Sequence, residues 1–438
     1  MKQSDLLGNP VTGATDEALE KYAQALHQFN CYRGDPVATI AAATAEAPDF
    51  AMGHLLHAWL HLLGTEPDAV TVAQADLDRV QRLPLSHRER GHHEAAKAFA
   101  AGEWHRAGRI LEDVSIDYPR DALALQAGHV GDYMRGDPRM IRDRIARALG
   151  RWSRADPGYH AVLGMFAFGC EENGDYRRAE NYGRRALDLE PKDAWAHHAV
   201  AHVFEMEGRS RDGIAWMRDR EAQWAEDNFL AVHNWWHWAL FHLDLNEIDA
   251  VLALFDGPIH GPRSRMTVDL IDASALLWRL QLRGIDVRRR WQSLADIWRE
   301  VARPGLYAFN DFHAMMAWVA SGDQARATQW IAAQSAQDPG RTGDHAAIAR
   351  SVGRPLLEAL AAFDRGDDEA AATRLRDVRP IAHRLGGSHA QRDLIDLTLI
   401  EAARRSGHLP LTRALVAERV QVKPGSAYNQ ALDLRTAA

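Results

Sequence analysis

The feature that most constrains the fold of this chain is an internal repeat. The segment PRDALALQAGHVGDYMRGD, which begins at Pro119, aligns without a gap with PKDAWAHHAVAHVFEMEGR, which begins at Pro191. Their offset corresponds to two units of about 34–36 residues each. Residues 157–191 form one such unit between them, from proline to proline. A period of this length predicts a chain built from repeated supersecondary units.

The repeated unit is helical. Strand-like alternation is almost absent, and segments rich in Ala, Leu, Arg and Glu end at short Gly-Asp or Asn-Gly-Asp breaks. Within 157–191, the small residues Ala167, Ala179 and Ala186 fit the tetratricopeptide (TPR) pattern of two antiparallel helices. Such helix pairs bury their apolar faces by stacking. We therefore predict an all-α fold, a TPR-like right-handed α-solenoid that forms one continuous superhelix with a concave inner wall.

Weaker units of the same kind extend over most of the chain. They are found at 36–69, 89–119, 268–300, 310–340 and 355–385. The segment GPIHGPRSRM, residues 257–266, is a polar Gly/Pro connection. It predicts an N-terminal helical half, 1–256, and a C-terminal helical half, 267–438, packed as part of the same solenoid.

Composition narrows the classes of partner. The formal net charge of −8 over 438 residues is spread without blocks, which disfavours nucleic acid or an anionic membrane as a partner. No apolar run approaches the roughly 18 residues of a membrane-spanning helix, and the first residues lack a secretory signal. Cys31 and Cys170, the two cysteines, stand in no metal-binding or redox spacing. We expect a reduced, cytoplasmic protein.

Two histidine ladders are the most distinctive local feature. Read as a helix, HHAVAHVFEMEGR places His198, His202 and Glu205 on one stripe, because residues three or four apart share a helix face. The following HNWWHWALFHLD repeats the spacing with His233 and His237. If both stripes face the same wall, four imidazoles and a carboxylate meet across adjacent helices.

The TPR register adds aromatic and acidic groups around these ladders. It places Trp195 on the inner wall beside His198, and the preceding unit contributes Phe168 and Glu171 to the same wall. Trp236 belongs to the second ladder. Aromatic walls around convergent polar groups are typical of a small-molecule pocket.

The chemistry of such a cluster has three interpretations. Imidazoles and carboxylates, two to a helix, hold zinc, iron or manganese in helical scaffolds, so a divalent metal is one predicted cofactor. The same groups also suit general acid–base catalysis, because histidine titrates near neutral pH. Alternatively the histidines are structural, since HLLHAWLH repeats the spacing without a carboxylate in the string.

Downstream charges in apolar helices extend the candidate set. Asp272 and Asp311 need partners or a ligand, because a buried unpaired charge is costly, and His313 stands beside Asp311. The candidate catalytic residues are Glu205, His202, His237, Asp311 and His313. The candidate binding residues are Trp195, His198, His233, Trp236, Phe168, Glu171 and Asp272. The candidate metal ligands are His198, His202, His233 and His237.

Several strings, in order, resemble the tetratricopeptide repeat protein 38 family. They are YRGDPVATI, RERGHHEAA, HAVAHVFEMEGRSRDGIAWM, HNWWHWALFHLD, DLIDASALLWRL, DFHAMMAW and GGSHAQRD. The resemblance covers most of the chain and implies an α-solenoid of degenerate TPR units. It implies no activity, cofactor or catalytic residue.

Two functional classes remain open at this point. The first is a solenoid that binds a small molecule in a central pocket lined by His, Trp and carboxylates, with metal-assisted or acid–base hydrolysis as its chemistry. The second is a non-catalytic scaffold that binds a peptide or partner helix in its concave groove, the commonest use of this architecture. A homo-oligomer fits either class. No glycine-rich phosphate loop, dinucleotide fingerprint or His-Glu-x-x-His string points to an enzyme class.

Overall fold

The fold is almost entirely helical. The computed structural model describes residues 3–335 and 343–437, and its strands there are the two-residue β1 (Gln3–Ser4) and β2 (Pro10–Val11), which pair antiparallel. The predicted all-α, TPR-like class is confirmed. Among the described residues, no helix combines the length and apolar content that a membrane span requires.

Helices follow one another through short turns. Those before residue 190 are α1 (Asp16–Cys31), α2 (Pro36–Glu46), α3 (Ala51–Gly64), α4 (Ala69–Val80), α5 (His87–Ala100), α6 (Trp104–Asp117), α7 (Ala122–Met134), α8 (Pro138–Leu149), α9 (Tyr159–Glu171) and α10 (Tyr176–Leu187). The next are α11 (Ala194–Met206), α12 (Ser210–Arg218), α13 (Glu221–Trp224), α14 (Ala231–Asp244), α15 (Ile248–Leu254), α16 (Thr267–Leu282), α17 (Arg288–Val301) and α18 (Ala308–Ala320). The last are α19 (Gln324–Ser335), α20 (Gly343–Ile348), α21 (Arg354–Asp364), α22 (Asp368–Val378), α23 (His389–Arg405), α24 (Leu409–Val422) and α25 (Ala427–Ala437). Short π-helical turns lie at Phe255–Ile259 and Ala349–Gly353, and a 3-10 helix lies at Arg379–Leu385.

The gapless repeat is reproduced residue for residue in the helix bounds. Helices α7 and α11 both begin three residues after the aligned prolines and both end at the aligned methionines. Each start carries the same cap, because Asp121 Oδ1 accepts a hydrogen bond from the Ala124 backbone N–H at 3.1 Å, and Asp193 Oδ1 does so from Ala196 at 3.0 Å. An aspartate at this position satisfies backbone donors that the first helical turn leaves unpaired. The local sequence therefore sets where each repeat starts.

Pairs of antiparallel helices make up the predicted units. The unit 157–191 is α9 and α10, which pack against each other. Gly183 allows α11 to approach this pair, because a Cβ there would lie 2.6 Å from Val200 Cγ2. The predicted unit 36–69 is out of phase: it joins α2 to α3, whereas α2 packs mainly on α1 and α3 on α4. The end of the predicted unit 310–340 lies outside the described residues.

The described chain divides into two compact units. Unit 1 comprises residues 3–200, Ala222–Ala231 and 343–344, and unit 2 comprises Ala201–Glu221, 232–335 and 345–437. The boundary thus passes through α11 rather than through the polar connection at 257–266. The division into halves at that connection stays a prediction.

A buried ion pair connects three consecutive helices of unit 1, α6 to α8. Arg144 on α8 donates to Asp132 on α7 through Nε at 2.8 Å and Nη2 at 3.0 Å, and the same Nη2 donates to the Gly108 carbonyl on α6 at 3.0 Å. Both charged side chains are fully buried. Arg135 also donates to Asp132. One carboxylate therefore pairs with two guanidinium groups, and Arg144 connects α6, α7 and α8.

Candidate functional site

The predicted site residues fall into two groups because α11 crosses the boundary between the units. Unit 1 contains Phe168, Glu171, Trp195 and His198. Unit 2 contains His202, Glu205, His233, Trp236, His237, Asp272, Asp311 and His313. His198 and His202 stand one turn apart on α11, as the sequence predicts.

The unit 1 candidates belong to a packed aromatic cluster. Trp195 stacks on Tyr32 with ring centroids 5.4 Å apart, and it lies 4.8 Å from Phe168. The His198 ring lies 4.7 Å from Trp195 and 5.4 Å from Phe168. Trp195 is 8% exposed and His198 only 2%, while Glu171 at the end of α9 is fully buried. These side chains pack as core between α1, α9 and α11, and they do not form an exposed wall.

In unit 2 the structure brings together three of the predicted imidazoles. His202 on α11 and His233 and His237 on α14 place potential ligand nitrogens within 4.8 Å of one another. The ring centroids of His202 and His237 are 4.4 Å apart, and those of His233 and His237 are 4.9 Å apart. His202 and His237 are fully buried. Histidines from both ladders, on two different helices, therefore lie close together.

Carboxylates orient two of these rings. Glu205 Oε2 lies 3.1 Å from His237 Nδ1, and the Asp272 oxygens lie 2.9 and 2.8 Å from His233 Nδ1. A carboxylate that accepts a hydrogen bond from one ring nitrogen sets the tautomer and makes the other nitrogen the better metal ligand. In both residues that other nitrogen is Nε2. The prediction that Asp272 has a partner is confirmed, and the partner is His233.

The charges around Glu205 determine which chemistry the cluster supports. Burial alone would raise the pKa of Glu205, but Lys423 Nζ at 3.1 Å and His237 hold that pKa well below its usual range. Burial, with the neighbouring His202, lowers the pKa of His237 to about 3. Catalytic acids and bases work best with a pKa near the working pH, so this pair is a poor proton shuttle at neutral pH. A neutral imidazole is, however, the form that binds a metal ion.

Trp236 covers one side of the imidazole group. Its ring stacks on His233 with centroids 5.2 Å apart and an interplanar angle of 16°. The Arg279 guanidinium carbon lies 5.2 Å from the centroid of the Trp236 ring. Trp236 is fully buried. Its position explains why the imidazoles are shielded from water, which strengthens their interactions with charge.

Asp311 and His313 have local partners in the fold. Asp311 accepts hydrogen bonds from the Gly305 backbone N–H at 3.0 and 2.9 Å and from the Gln334 amide. His313 Nδ1 lies 2.8 Å from the Phe309 carbonyl, and burial lowers the pKa of His313 to about 4. These contacts satisfy the Asp311 carboxylate and the Nδ1 atom of His313 within the fold.

The GGSHAQRD stretch forms the start of a helix. Ser388 Oγ accepts a hydrogen bond from the Gln391 backbone N–H at 3.3 Å, and Gln391 Oε1 accepts one from the Ser388 backbone N–H at 3.0 Å. This is a capping box at the start of α23. In the same helix, Asp393 forms a two-point ion pair with Arg419 of α24.

Sequence reasoning missed Lys423. It lies 218 positions after Glu205, just beyond the end of α24, in a segment without a repeat match. No spacing rule relates two residues so far apart. A buried glutamate on a histidine stripe does, however, require a positive partner, and that requirement was the available signal.

Comparison with known proteins gives the following. No protein-family model matches the chain. A chain of the APC/C hetero-tetramer Cut9-Hcn1 is similar in structure with a TM-score of 0.45 and 10% identity, over 96% of this chain and 76% of that one. Yeast Tom70 is similar with a TM-score of 0.43 and 11% identity, over 92% of this chain and 90% of that one. Similarity at this level does not indicate what the chain binds.

Proposed function

We propose that this chain is a helical-repeat binding protein that holds a divalent transition-metal ion between His202, His233 and His237. One observation carries the proposal: three imidazoles from two helices converge within 4.8 Å, and two of them are oriented by carboxylates. Three histidines with carboxylates behind them are a recurring donor set for zinc, iron and manganese. His198, one turn earlier on α11, stays a predicted fourth ligand.

Each residue around the metal position has a distinct task in this proposal. The three imidazoles supply nitrogen ligands, and Asp272 and Glu205 hold His233 and His237 in orientation. Lys423 balances the charge of Glu205, so the carboxylate remains a hydrogen-bond acceptor and does not compete as a bare anion. A bound divalent ion would supply Lewis-acid character or structural cross-linking of α11 to α14.

The test is metal content and metal-dependent stability of the full chain. The purified protein is equilibrated with excess zinc, freed of unbound metal, and assayed by inductively coupled plasma mass spectrometry and thermal unfolding. Zinc at 100 times its Kd stabilises the folded chain by about 2.7 kcal/mol. We expect one zinc ion to be lost from the His202→Ala/His237→Ala double variant, and Asp272→Asn to weaken affinity about 10–100-fold.

His313→Ala is the matched control. It removes another buried imidazole of unit 2, whose Nδ1 bonds to a backbone carbonyl, so it creates a comparable cavity without touching the three ligands. Equal zinc loss in His313→Ala and in the double variant would overturn the proposal. Unchanged zinc content in the double variant would overturn it as well.

A protein-interaction scaffold is the broader proposal for the chain as a whole. Helix pairs in series offer extended surfaces for a peptide or a partner helix, and this fold supports that use more directly than small-molecule hydrolysis. The pKa values of Glu205 and His237 argue in the same direction, because they disfavour acid–base chemistry. A metal-free chain of unchanged stability would leave the scaffold as the sole proposal. Membership of the tetratricopeptide repeat protein 38 family is proposed on the quoted strings alone.

A further inference from the structure

A second group of metal-binding side chains lies in unit 1, away from the histidine ladders. His27 and Cys31 stand one turn apart at the end of α1, and His160 lies in the first turn of α9. Potential ligand atoms of the three residues lie within 4.8 Å of one another. Cys31 Sγ is 3.9 Å from both ring nitrogens of His27, and the His27 and His160 rings are 5.6 Å apart.

His160 is held in the orientation that a metal ligand needs. Its Nδ1 lies 2.8 Å from Asp193 Oδ2, and the Asp193 side chain is fully buried. The same carboxylate group caps α11 through its other oxygen, so its position is fixed by the repeat itself. A histidine whose Nδ1 is bound by a fixed carboxylate presents Nε2 as a lone-pair donor.

The opposite nitrogen of His160 is an independent sign of a ligand. His160 Nε2 is buried, and no hydrogen-bond partner for it is found in the part of the chain that the structure describes. The whole residue is only 7% exposed. A buried polar atom left without a partner destabilises the fold, so such atoms in folded proteins call for an explanation. A metal ion bound at Nε2 supplies that explanation.

We propose that His27, Cys31 and His160 bind a zinc-class divalent metal ion, with a thiolate and two imidazoles as ligands. This donor set favours soft or borderline ions over magnesium and calcium. Glu190 Oε2 lies 3.9 Å from His27 Nε2 and is the nearest carboxylate for the fourth position. On binding, the Cys31 thiol loses its proton to solvent, and the sulfur forms the metal bond.

Solvent reaches this group of side chains at His27. The His27 side chain is 54% exposed, whereas Cys31 and His160 are buried. His27 can therefore turn its ring toward an arriving ion without displacing the core, and the separations of up to 4.8 Å can close to those of a four-coordinate site. Burial raises the pKa of the Cys31 thiol. The free thiol is therefore protonated before the ion arrives.

Cobalt(II) is the probe that isolates this site. Full-length protein, reduced and metal-free, is titrated with cobalt(II) while its absorption spectrum is recorded. We expect a thiolate-to-cobalt charge-transfer band in the near ultraviolet that grows to the amplitude of one bound cobalt ion and is lost in Cys31→Ser. The three-imidazole site in unit 2 contains no thiolate and gives no such band. The two proposals therefore fail or succeed separately.

Three further variants serve as controls and tests of the individual residues. Cys170→Ser removes the other buried cysteine of unit 1 and must retain the band. His27→Gln changes a half-exposed side chain, so it leaves folding intact and must still abolish the band at one equivalent. Asp193→Asn, a positioning variant that can still cap α11, is expected to weaken cobalt affinity about 10–100-fold. A band that persists in Cys31→Ser, or no band in the unaltered chain, overturns the proposal.

Discussion

Removal of the charge on Asp132 is expected to be the most destabilising single change in the core of α7 and α8. Asp132→Asn keeps the size of the side chain but leaves the buried Arg144 and Arg135 without their anion. Breaking a buried ion pair from one side costs about 3–5 kcal/mol, because the remaining charge is uncompensated. Since whole domains are stable by only about 5–15 kcal/mol, this change removes a large share of the stability of unit 1.

The same geometry predicts an order among three variants. Arg144→Met is expected to cost less than Asp132→Asn, about 1–3 kcal/mol, because Arg135 still neutralises the carboxylate and only the hydrogen bonds of Arg144 are lost. Glu180→Gln breaks an exposed i,i+4 pair with Arg184 on α10 and should cost about 0.3–0.5 kcal/mol. Urea unfolding, with hydrogen exchange of α7 and α8 amides as a local readout, measures all three. If Asp132→Asn costs no more than Glu180→Gln, the argument from buried charge fails.

Two further changes test the C-terminal helices. The Arg419 guanidinium lowers the pKa of the buried Asp393 carboxyl to about 2, whereas an aspartate in the unfolded chain has a pKa of about 3.9. At a pH above about 3.9 the ion pair therefore contributes about 2 kcal/mol to the free energy of unfolding, and this contribution is lost as the pH falls toward 2. Acid unfolding of Asp393→Asn should show a flatter pH dependence, and an unchanged slope would contradict this. Ser388→Ala removes the cap of α23 and should lower the free energy of unfolding by about 1 kcal/mol, with faster amide exchange confined to the first turn of α23. Ser388→Gly should lower it by only a few tenths of a kcal/mol.

Local features of the fold could be predicted from the sequence because short-range chemistry determines them. Asp121 and Asp193 fix the starts of α7 and α11 through bonds to backbone donors three residues on, so the gapless alignment carried over to identical helix bounds. The capping box at Ser388 obeys the same local rule. The shared stripe of His233 and His237 was also predictable, since helix periodicity places residues four apart on one face, whereas their approach to His202 was predicted only on the condition that both stripes face the same side.

Contacts between distant segments could not be predicted in the same way. The phase of the predicted unit 36–69 was wrong, because only tertiary packing decides that α3 pairs with α4 and α2 with α1. The Lys423–Glu205 pair depends on the path of the whole chain between them. The group of His27, Cys31 and His160 escaped the cysteine spacing rules because its partners are histidines, one of them on another helix.

Spacing and a nearby carboxylate are together insufficient to distinguish a metal site from a structural histidine. HLLHAWLH has no carboxylate in its own string, yet the structure supplies Asp76 from α4, 2.8 Å from His54 Nδ1 and 2.6 Å from His57 Nδ1. The second nitrogen of His54 lies 3.0 Å from the Pro48 carbonyl, so that imidazole is satisfied within the protein. His160 has the same carboxylate support, but its Nε2 has no hydrogen-bond partner among the described residues. The environment of the nitrogen opposite the carboxylate therefore separates His54 from His160, and it depends on tertiary structure, which helix periodicity cannot report.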